Sequence, residues 1–450
     1  MRTSGRPSSS AIHSVDASSS GRANPVKGSP GPRPYSRPVV SPFMSDADKL
    51  AAVREALPSL SAAIQLNAGS AGPLPAEVAA AMAELEAYER DFGRAQLEYW
   101  EDSKQRMDEA RAAVAAVLGG ELDEVAITHA TTDGMNLGTW AVNWRDGGRA
   151  VTTSHEHPGG VGPLYIVADR FRVDLAFAEF AGDAPDDEIL AQFDRLLTPA
   201  TKLVSISHVL WTTGLVMPVS HIAAMAHARG ALVLIDGAQA AGAIPVNVRD
   251  LGVDMYSVPA QKWLLGPEGL GALWVRRELL DSLETTFASF FTFASLDSRG
   301  NRTLQTDARR FQVTNYHRPS ILGMARAIGW LTMYVGLEFV HRRGAEMAHK
   351  AAAMLAEIDG VELLTPRDRM AGLVSFRIAG WEPQAALDEL QARTFAIART
   401  LPPISALRIS IGFWTTEDEL DRFIDGVRLL AAHTPETLPQ RRTLTIVGQG

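Results

Sequence analysis

The chain has 450 residues, no cysteine, and a formal net charge of -9 from 43 basic and 52 acidic residues. Its hydrophobic content of 46% is enough to bury a large core, and its length predicts two domains. The acidic balance argues against a nucleic-acid or anionic-membrane surface, and no apolar stretch is long enough to span a bilayer. The lack of cysteine excludes disulfides and thiolate metal sites. We therefore expect a cytoplasmic protein that binds small molecules, with no nucleic-acid or membrane partner.

The first 43 residues are rich in serine, proline, glycine and arginine, and they show no apolar periodicity. This composition predicts a disordered leader over residues 1–45. A basic, nearly acid-free leader resembles a transit peptide, but it has no evident amphipathic helix, and Met44 is an alternative start of translation. The last residues, 433–450, are predicted to form a flexible tail.

The first strand-like run covers residues 125–130, and a helix start with two hydroxyl residues follows it directly, Thr131-Thr132-Asp133-Gly134. Backbone amides and hydroxyls at the positive end of a helix dipole bind phosphate, and a glycine there allows close backbone approach. The segment is therefore a candidate phosphate site. An ordinary capping turn would explain the same residues.

The next run, residues 150–155, leads into Ser154-His155-Glu156-His157. Imidazoles on alternate strand residues point to one face of a sheet. His155 and His157, together with His208 and Asp236, are therefore a candidate metal site of a metal-dependent hydrolase. This alternative leaves a lysine and a glycine-rich run further along the chain unexplained.

Two further apolar runs, residues 202–208 and 231–235, are typical of buried parallel strands. The second run leads directly into Asp236-Gly-Ala-Gln239. Ligand-binding residues of open α/β sheets lie just past the carboxyl ends of strands, so Asp236 and Gln239 are candidate binding residues. Asp236 is equally suited to cap a following helix.

Lys262 stands among apolar residues and glycines, in Gln261-Lys-Trp-Leu-Leu-Gly-Pro-Glu-Gly-Leu-Gly. A lysine that reacts as a free amine needs burial or a neighbouring charge to lower its pKa from about 10.4. Trp263, Leu264 and Leu265 are the expected apolar wall, and a lysine stem that merely lies along the tryptophan is the alternative. With Asp236, Lys262 meets the demands of pyridoxal phosphate (PLP), namely a lysine that forms an aldimine and a carboxylate that keeps the pyridine nitrogen protonated.

A last strand-like run covers residues 271–275, and helical periodicity then extends from Leu322 through Tyr334 and past His349. The alternation of strand-like and helix-like runs predicts an α/β fold with a mostly parallel sheet and helices on both faces.

Near the end of the chain, Arg408 lies in an apolar alternating run, where a guanidinium is suited to hold a substrate carboxylate in a bidentate manner. A surface arginine on an edge strand is the alternative.

These motifs resemble the class V aminotransferase family of fold-type I PLP enzymes, which includes cysteine desulfurases and isopenicillin-N-epimerase-like proteins. The resemblance covers residues 66–430 and is carried by Asp236-Gly-Ala-Gln239 and by Lys262 before Gly-Pro-Glu-Gly-Leu-Gly. It implies an N-terminal arm over residues 46–75 that lines the cleft. A large PLP-binding domain over 76–322 and a small α+β domain over 323–432 are expected to follow.

The resemblance also implies roles for individual residues. His157 is expected to stack on the pyridine ring, His155 to be structural, and Arg408, Asn67 and Trp211 to bind substrate. Trp211 stands where relatives usually have asparagine, and Asn315 where a threonine often reaches the partner subunit's phosphate site. A homodimer with its active site near the subunit interface is therefore expected. The implied cofactor-binding residues are Thr131, Thr132, Asp133, His157, Asp236, Gln239, Gln261, Lys262 and Asn315.

Composition narrows the chemistry that the resemblance implies. Cysteine desulfurases accept sulfur on a cysteine, and this chain has none, so that mechanism is excluded. The remaining reactions begin when a freed Lys262 removes the α-proton of an amino acid, with Asp236 acting through the ring. We expect β-elimination of a C–S bond, with aminotransferase or epimerase activity as alternatives. A metal-dependent hydrolase that uses His155 and His157 is the alternative from another class.

Overall fold

The computed structural model describes residues 40–441, so residues 1–39 of the predicted leader and 442–450 of the predicted tail lie outside the described residues. Residues 40–45 belong to the folded chain: Val40 is 3% exposed, and Ser45 caps the first helix. The helices are α1 (Asp46–Ala56), α2 (Ala76–Phe92), α3 (Leu97–Leu118), α4 (Thr131–Ala141), α5 (Pro158–Phe171), α6 (Asp186–Leu196), α7 (Val219–His227), α8 (Val248–Leu251), α9 (Arg318–Gly329), α10 (Leu337–Ala356), α11 (Pro383–Thr394) and α12 (Glu417–Ala431). The strands are β1 (Ile64–Gln65), β2 (Val125–Thr128), β3 (Arg149–Thr153), β4 (Asp174–Ala178), β5 (Thr201–Ser207), β6 (Leu232–Asp236), β7 (Met255–Pro259), β8 (Gly271–Val275), β9 (Phe293–Leu296), β10 (Arg302–Leu304), β11 (Val361–Leu363), β12 (Leu373–Ile378), β13 (Ala396–Ile397), β14 (Arg399–Leu401) and β15 (Ala406–Ser410).

Seven strands form the central sheet, in the order β2-β8-β7-β6-β5-β3-β4. Within this sheet β8 runs antiparallel to both of its neighbours, and the other neighbouring pairs are parallel. Strands β2, β7 and β8 are buried along their whole length. Burial on both faces explains why such strands are continuous apolar runs rather than alternating ones. The predicted α/β fold with a mostly parallel sheet is confirmed.

Two strands end two residues earlier than their sequences predict. After β2, the backbone N–H of His129 donates to the Asp133 carboxylate (3.1 Å). After β3, the backbone N–H of His155 donates to the hydroxyl of Thr153 (3.1 Å). Side chains that bond to nearby backbone groups offer the chain an alternative to the sheet ladder, so the strand stops there. The edge strand β4 is not evident in the sequence, because most of its residues are only partly buried.

A second, antiparallel sheet forms in the C-terminal part, in the order β11-β12-β15-β14. Helices α10, α11 and α12 contact it, and Val374, Phe376 and Ile409 belong to its separate apolar core. The helical run that leads into this sheet is interrupted: α9 passes into a π-helical turn over Trp330–Val335 and stops at Gly336 (φ 86°). A positive φ is incompatible with a right-handed helix, so α10 begins separately. The boundary expected between residues 322 and 323 lies inside α9.

The N-terminal segment joins the two sheets. Strand β1 pairs in parallel with β13, and the backbone N–H of Ser410 donates to the carbonyl of Leu66 (2.7 Å). Six residues after Leu66, the backbone N–H of Gly72 donates to the carbonyl of Gln261 (2.8 Å), which lies just after β7 of the central sheet. Residues 67–71 therefore run between the end of the central sheet and the small sheet.

No single helix within residues 40–441 is long and apolar enough to cross a membrane. Helix α9 with its π-helical turn and helix α10 together have the length and composition of a membrane span, but this pair is bent by 86°.

Candidate active site

A cavity of about 300 Å³ lies at the carboxyl ends of β5, β6 and β7. This volume is at the lower end of the range of small-molecule sites, ~300–1,000 Å³. The cavity is also lined by Gly69, Ser70 and Arg399, which the sequence analysis does not single out. It brings together nine of the predicted site residues, Thr131, Thr132, His157, Trp211, Asp236, Gln239, Gln261, Lys262 and Arg408.

Three predicted site residues do not line this cavity. Asp133 directs its carboxylate to the ring and the backbone N–H of His129 (3.0 and 3.1 Å). The side-chain oxygen of Asn67 accepts a hydrogen bond from the hydroxyl of Ser70 (3.0 Å). Asn315 lies beside His129, and its backbone carbonyl oxygen is 3.4 Å from Nε2 of the His129 ring. Each of these three residues contacts another protein residue instead of lining the cavity.

Lys262 lies in the cavity wall just after β7. Burial lowers the pKa of its ammonium group to about 8; the Asp236 carboxylate opposes this shift, and the positive charges of Arg408 and Arg399 add to it. A lysine with a lowered pKa has more neutral amine near pH 7, which suits a nucleophile for carbonyl compounds. Lys262 is therefore part of the cavity wall rather than a solvated surface charge.

The apolar residues after Lys262 do not form the wall that the sequence predicts. Trp263, Leu264 and Leu265 are at most 4% exposed, but none of them lines the cavity. The chain turns after the lysine, since the backbone N–H of Leu265 donates to the Lys262 carbonyl (3.2 Å) and Leu265 has φ 55°. The apolar part of the wall instead comes from other loops, with Val209, Trp211 and Pro259 among its residues.

Asp236 ends β6 at the cavity and is 7% exposed. The backbone N–H of Ala238 donates to its Oδ1 (2.9 Å) and holds the turn after the strand. The next helix, α8, begins only at Val248, so the alternative that Asp236 caps a following helix is wrong. At the start of α5, Gly160 lies so close that a Cβ there would be 3.1 Å from Oδ2. The carboxylate is thus held in the cavity wall by its own turn.

The start of α4 forms the candidate phosphate site. The hydroxyl of Thr131 is buried without a hydrogen-bond partner among the described residues, and Thr132 lines the cavity beside it. The side-chain oxygen of Gln261 is likewise buried and unpartnered in residues 40–441, and a flip of this amide would present a donor. Buried polar groups without partners are costly, so these groups fit a ligand with several oxygens at a helix N-terminus.

Gly134 serves packing rather than the approach to phosphate that the sequence predicts. A methyl group at this position would overlap the hydroxyl of Ser257 on β7. That hydroxyl donates to the carbonyl of Thr131 (2.9 Å), which fixes the first turn of α4 on the sheet. The glycine therefore sets the position of the helix start.

Gln239 ties the N-terminal segment to the central sheet. Its Nε2 donates to the carbonyl of Gly69 (3.0 Å), and its Oε1 accepts a hydrogen bond from Nε1 of Trp263 (3.0 Å). Both ends of the amide are thereby used by protein groups. Gln239 lines the cavity, and these two bonds make it a residue that positions the neighbouring loop.

His157 stands at the N-cap of α5, where its Nδ1 accepts a hydrogen bond from the backbone N–H of Gly159 (3.1 Å). Its ring lies edge-on to the indole of Trp211, with centroids 5.2 Å apart. Partial burial of the ring lowers the pKa of His157, and the charge of Lys262 lowers it further. The neutral form of the ring is therefore favoured, and His157 lines the cavity.

The other histidines of the metal-site hypothesis are engaged elsewhere. Nε2 of His155 lies 2.7 Å from the carbonyl of Phe180, and Nδ1 of His208 lies 2.8 Å from the hydroxyl of Tyr256. Among residues 40–441, no group of three or more histidine, cysteine, aspartate or glutamate side chains is arranged to hold a metal ion. The described structure therefore offers no site for the hydrolase alternative.

Glu156 is a partly buried acid beside the cavity, bonded to the lining residue Ser207. Sequence reasoning missed it because it stands between two more conspicuous histidines. Its carboxylate accepts hydrogen bonds from the hydroxyls of Thr153 and Ser207, each at 2.6 Å. Burial and, to a smaller extent, the charge of the Asp236 carboxylate together raise the pKa of Glu156 to about 7, although the hydrogen bonds from the two hydroxyls oppose this shift. Its position within Ser154-His155-Glu156-His157, just past the predicted strand, is the local signal that could have found it.

Arg408 is fully buried on β15, an interior strand of the small sheet, so the alternative of a surface arginine on an edge strand is wrong. Its Nη1 donates to the carbonyl of Trp211 (2.7 Å), while Nε and Nη2 have no partner in the described part of the chain. Burial lowers the pKa of Arg408 to about 9, and the charge of Arg399 adds to this shift. Unpaired guanidinium donors in a cavity wall fit a carboxylate ligand.

Comparison with known proteins agrees with this site. A model of the family "Aminotransferase class-V" matches residues 65–423. The chain therefore belongs to the class V aminotransferase family. A probable cysteine desulfurase of Mycolicibacterium paratuberculosis is 31% identical over 339 residues, which are 72% of this chain and 49% of that protein. The chain thus spans about half the length of this relative.

Other relatives match over nearly their whole length. Isopenicillin N epimerase of Streptomyces clavuligerus is 28% identical over 386 residues, which are 82% of this chain and 94% of the epimerase. The cystine C–S lyase C-DES, solved with its reaction product cysteine persulfide, superposes with a TM-score of 0.77 and 25% identity over 83% of this chain and 99% of that one. A mutant of C-DES with glycine covalently linked to its PLP cofactor gives a TM-score of 0.78 at 25% identity, over 83% of this chain and 98% of that one.

PLP is the cofactor of this family, and the cavity contains the residue types that it requires. The unpartnered Thr131 hydroxyl at the start of α4, the acid at the end of β6 and the amine of Lys262 line the same space. The prediction of a PLP-dependent enzyme of the class V aminotransferase family is confirmed.

Proposed function

We propose that the protein is a PLP-dependent lyase that breaks a C–S bond at the β-carbon of an α-amino acid. The observation that carries this proposal is the placement of Lys262, Asp236 and Arg408 in the wall of one cavity. The choice of C–S cleavage is supported by the likeness to the cystine C–S lyase C-DES over most of the chain.

When bound, PLP supplies an aldehyde for imine formation and a ring that withdraws electrons from the substrate α-carbon. The hydroxyl of Thr131, the start of α4 and the side chain of Gln261 would hold its phosphate. Asp236 would keep a proton on the pyridine nitrogen, because a buried carboxylate stabilises a neighbouring positive charge. The neutral ring of His157 is the aromatic surface offered to the cofactor.

The substrate would be held and deprotonated by two basic residues. Nε and Nη2 of Arg408, which lack protein partners in residues 40–441, would bind the α-carboxylate. Nζ of Lys262, neutral in an appreciable fraction near pH 7, would take the proton from the α-carbon. Elimination then breaks the bond between Cβ and sulfur, and the electron pair leaves with the sulfur atom.

The absence of cysteine supports this choice over a desulfurase reaction. The probable cysteine desulfurases are relatives, but this chain has no cysteine to receive a sulfur atom. The sulfur would therefore leave in a small molecule. Epimerase activity is the second candidate, because isopenicillin N epimerase matches this chain over 94% of its own length.

The test uses PLP-loaded protein and S-substituted cysteines, with pyruvate, ammonia, exchanged amine and inverted amino acid each measured separately. A lyase releases pyruvate and ammonia in equal amounts, and Lys262→Ala should abolish this release. Lys104→Ala is the matched control, because Lys104 is exposed on α3, away from the cavity. Inversion without pyruvate would establish an epimerase, and amine exchange an aminotransferase; either would overturn the proposal.

We also propose a cytoplasmic homodimer with its active sites near the subunit interface. Support comes from the position of Asn315, which lies outside the cavity of its own protomer but near the start of α4. Sedimentation of the purified protein tests the dimer: a monomer at micromolar concentration would contradict it. Fractionation of the producing cells tests the location.

A further inference from the structure

A second acid, Glu156, lies next to Asp236 at the carboxyl edge of the central sheet. Glu156 follows β3, and its carboxylate accepts hydrogen bonds from the hydroxyls of Thr153 on β3 and Ser207 on β5, each at 2.6 Å. Strand β6 is the other neighbour of β5, and Asp236 at its end is the register partner of Ser207. Ser207 therefore stands between the two acids, and both Ser207 and Asp236 line the cavity.

The hydrogen bonds around Glu156 fix the oxygen on which a proton of its carboxyl group lies. The backbone N–H of His155 donates to the hydroxyl oxygen of Thr153 (3.1 Å), and the Thr153 hydroxyl donates in turn to Oε1 of Glu156. Oε1 is therefore an acceptor whether or not the acid is ionised. A proton on Glu156 then lies on Oε2, the oxygen that contacts the hydroxyl of Ser207.

The hydroxyl of Ser207 has one proton, so the direction in which it donates depends on the charge of Glu156. When Glu156 is ionised, Ser207 donates to Oε2 and offers only lone pairs to the cavity. When Glu156 is protonated, the acid donates to the serine oxygen, and the serine proton is free for another acceptor. Register partners on neighbouring parallel strands point to the same face of the sheet, about 5 Å apart, so the Asp236 carboxylate is the adjacent acceptor.

The charges around Glu156 favour one proton for the two acids. Burial and the Asp236 carboxylate together raise the pKa of Glu156 to about 7. The imidazoles of His155 and His157 bond to backbone groups instead of to Glu156. Two acids that lie this close share one proton more readily than they both ionise. Asp236 already accepts the backbone N–H of Ala238 at Oδ1, and a second donor would favour its charged form further.

We propose that Glu156 is a positioning residue that acts on Asp236 through the hydroxyl of Ser207. The two acids share one proton, which resides on Glu156, and the Ser207 hydroxyl then donates to the Asp236 carboxylate. This donation favours the charged form of Asp236, which is the form that pairs with a protonated pyridine nitrogen. The inference goes beyond the proposed C–S lyase reaction and does not depend on it, because the three residues belong to the cofactor site whichever reaction follows.

Infrared spectroscopy measures the protonation of Glu156 through the C=O stretch of a protonated carboxyl group. The full-length protein is produced with isotope-labelled glutamate, freed of PLP so that the cofactor adds no charge beside Asp236, and titrated with base. One labelled carboxyl band should disappear with a midpoint near pH 7. Glu156→Gln should abolish this band. Glu77→Gln, which removes another glutamate whose pKa is raised by burial, should leave the midpoint unchanged.

A double-mutant cycle then tests the contact through Ser207. Asp236→Asn should lower the midpoint of the Glu156 band, because it removes the charge that favours the proton there. This drop should be larger by about one pH unit in protein that has the Ser207 hydroxyl than in Ser207→Ala, which cannot pass a charge-assisted hydrogen bond between the acids. Ser205→Ala, which removes another buried hydroxyl of β5, should leave the full drop.

Two results would overturn the inference. Equal drops with and without the Ser207 hydroxyl would show that Asp236 acts on Glu156 through space alone. A wild-type spectrum without a Glu156 band at about pH 6 would show that Glu156 holds no proton to share. Neither result bears on the lyase assignment, which fails instead if the PLP-loaded enzyme releases no pyruvate; that failure would leave the infrared midpoints as they are.

Discussion

Lys262 should react as a neutral amine at a pH where an ordinary lysine is almost wholly protonated. Its pKa is about 8, because burial disfavours the ammonium form. At pH 7 a group with this pKa is neutral in about one molecule in ten, whereas an exposed lysine with a pKa near 10.4 is neutral in about one in 2,500. The difference is an advantage of about 200-fold in free amine.

The assay labels cofactor-free protein with a short pulse of acetic anhydride at a series of pH values from about 6 to 10. Peptide mass spectrometry then gives the modified fraction of Lys262 and of Lys104, which is exposed on α3. Labelling of Lys262 should reach half of its maximum near pH 8 and then level off. Asp236→Asn should move this midpoint to lower pH, because the Asp236 carboxylate raises the pKa of Lys262.

Two labelling results would contradict the burial of the Lys262 amine or its coupling to Asp236. If Lys262 labelling keeps rising to pH 10 in parallel with that of Lys104, the amine is not desolvated and burial does not prepare it for imine formation. If Asp236→Asn moves the midpoint to higher pH, the charge of Asp236 acts on some other group. PLP-loaded protein is the control, because its lysine nitrogen should be protected from the reagent while Lys104 is labelled as before.

Two further predictions concern stability. Burial raises the pKa of Glu156 to about 7 from an ordinary value of 4.5. Between these pH values the folded state keeps a proton that the unfolded chain loses. The tighter proton binding stabilises the folded state at low pH, and this contribution to the free energy of unfolding is lost as pH rises through 7. The stability of Glu156→Gln relative to wild type should therefore increase as pH rises. The gain should be on the order of 1–3 kcal/mol at pH 8.5 and much less at pH 5. An equal difference between the urea midpoints of the two proteins at both pH values would contradict this. Gly134→Ala should cost about 1–3 kcal/mol, because the added methyl overlaps the Ser257 hydroxyl, whereas Gly162→Ala, with open space around it, should be neutral or slightly stabilising. Thermal unfolding of the two alanine variants side by side is the measurement, and equal shifts would refute the packing argument.

The arrangement around Lys262 and Asp236 could be predicted because it depends on local patterns and one rule of topology. Apolar runs that end in functional residues identify buried parallel strands, and the carboxyl ends of such strands meet at one edge of the sheet. Asp236 follows from this rule directly, and Lys262 stands just beyond the next strand, β7. The same rule correctly placed Thr131 and His157 at the cavity.

Residues whose role depends on the direction of a single side chain could not be predicted in this way. Asp133 belongs to the right segment but turns to His129, and Gly134 faces the hydroxyl of Ser257 on a strand more than a hundred positions away in the chain. Trp263 directly follows the lysine, but it does not line the cavity. Such directions are decided by packing against distant segments, of which local sequence holds no record.

The sequence by itself determined the α/β fold, the cofactor and the lysine that lines the cavity, because apolar periodicity and strand-end residues are local properties of the chain. Only the tertiary structure decided which charges surround that lysine. The pairing of Arg399 with Arg408 depends on the register of β14 against β15, and a shift of one residue would turn every side chain of a strand to the other face. Likewise, Glu156 is held by Ser207 from a separate strand. The burial that moves the pKa values of this site is a property of the assembled sheets, and it arises only when both are in place.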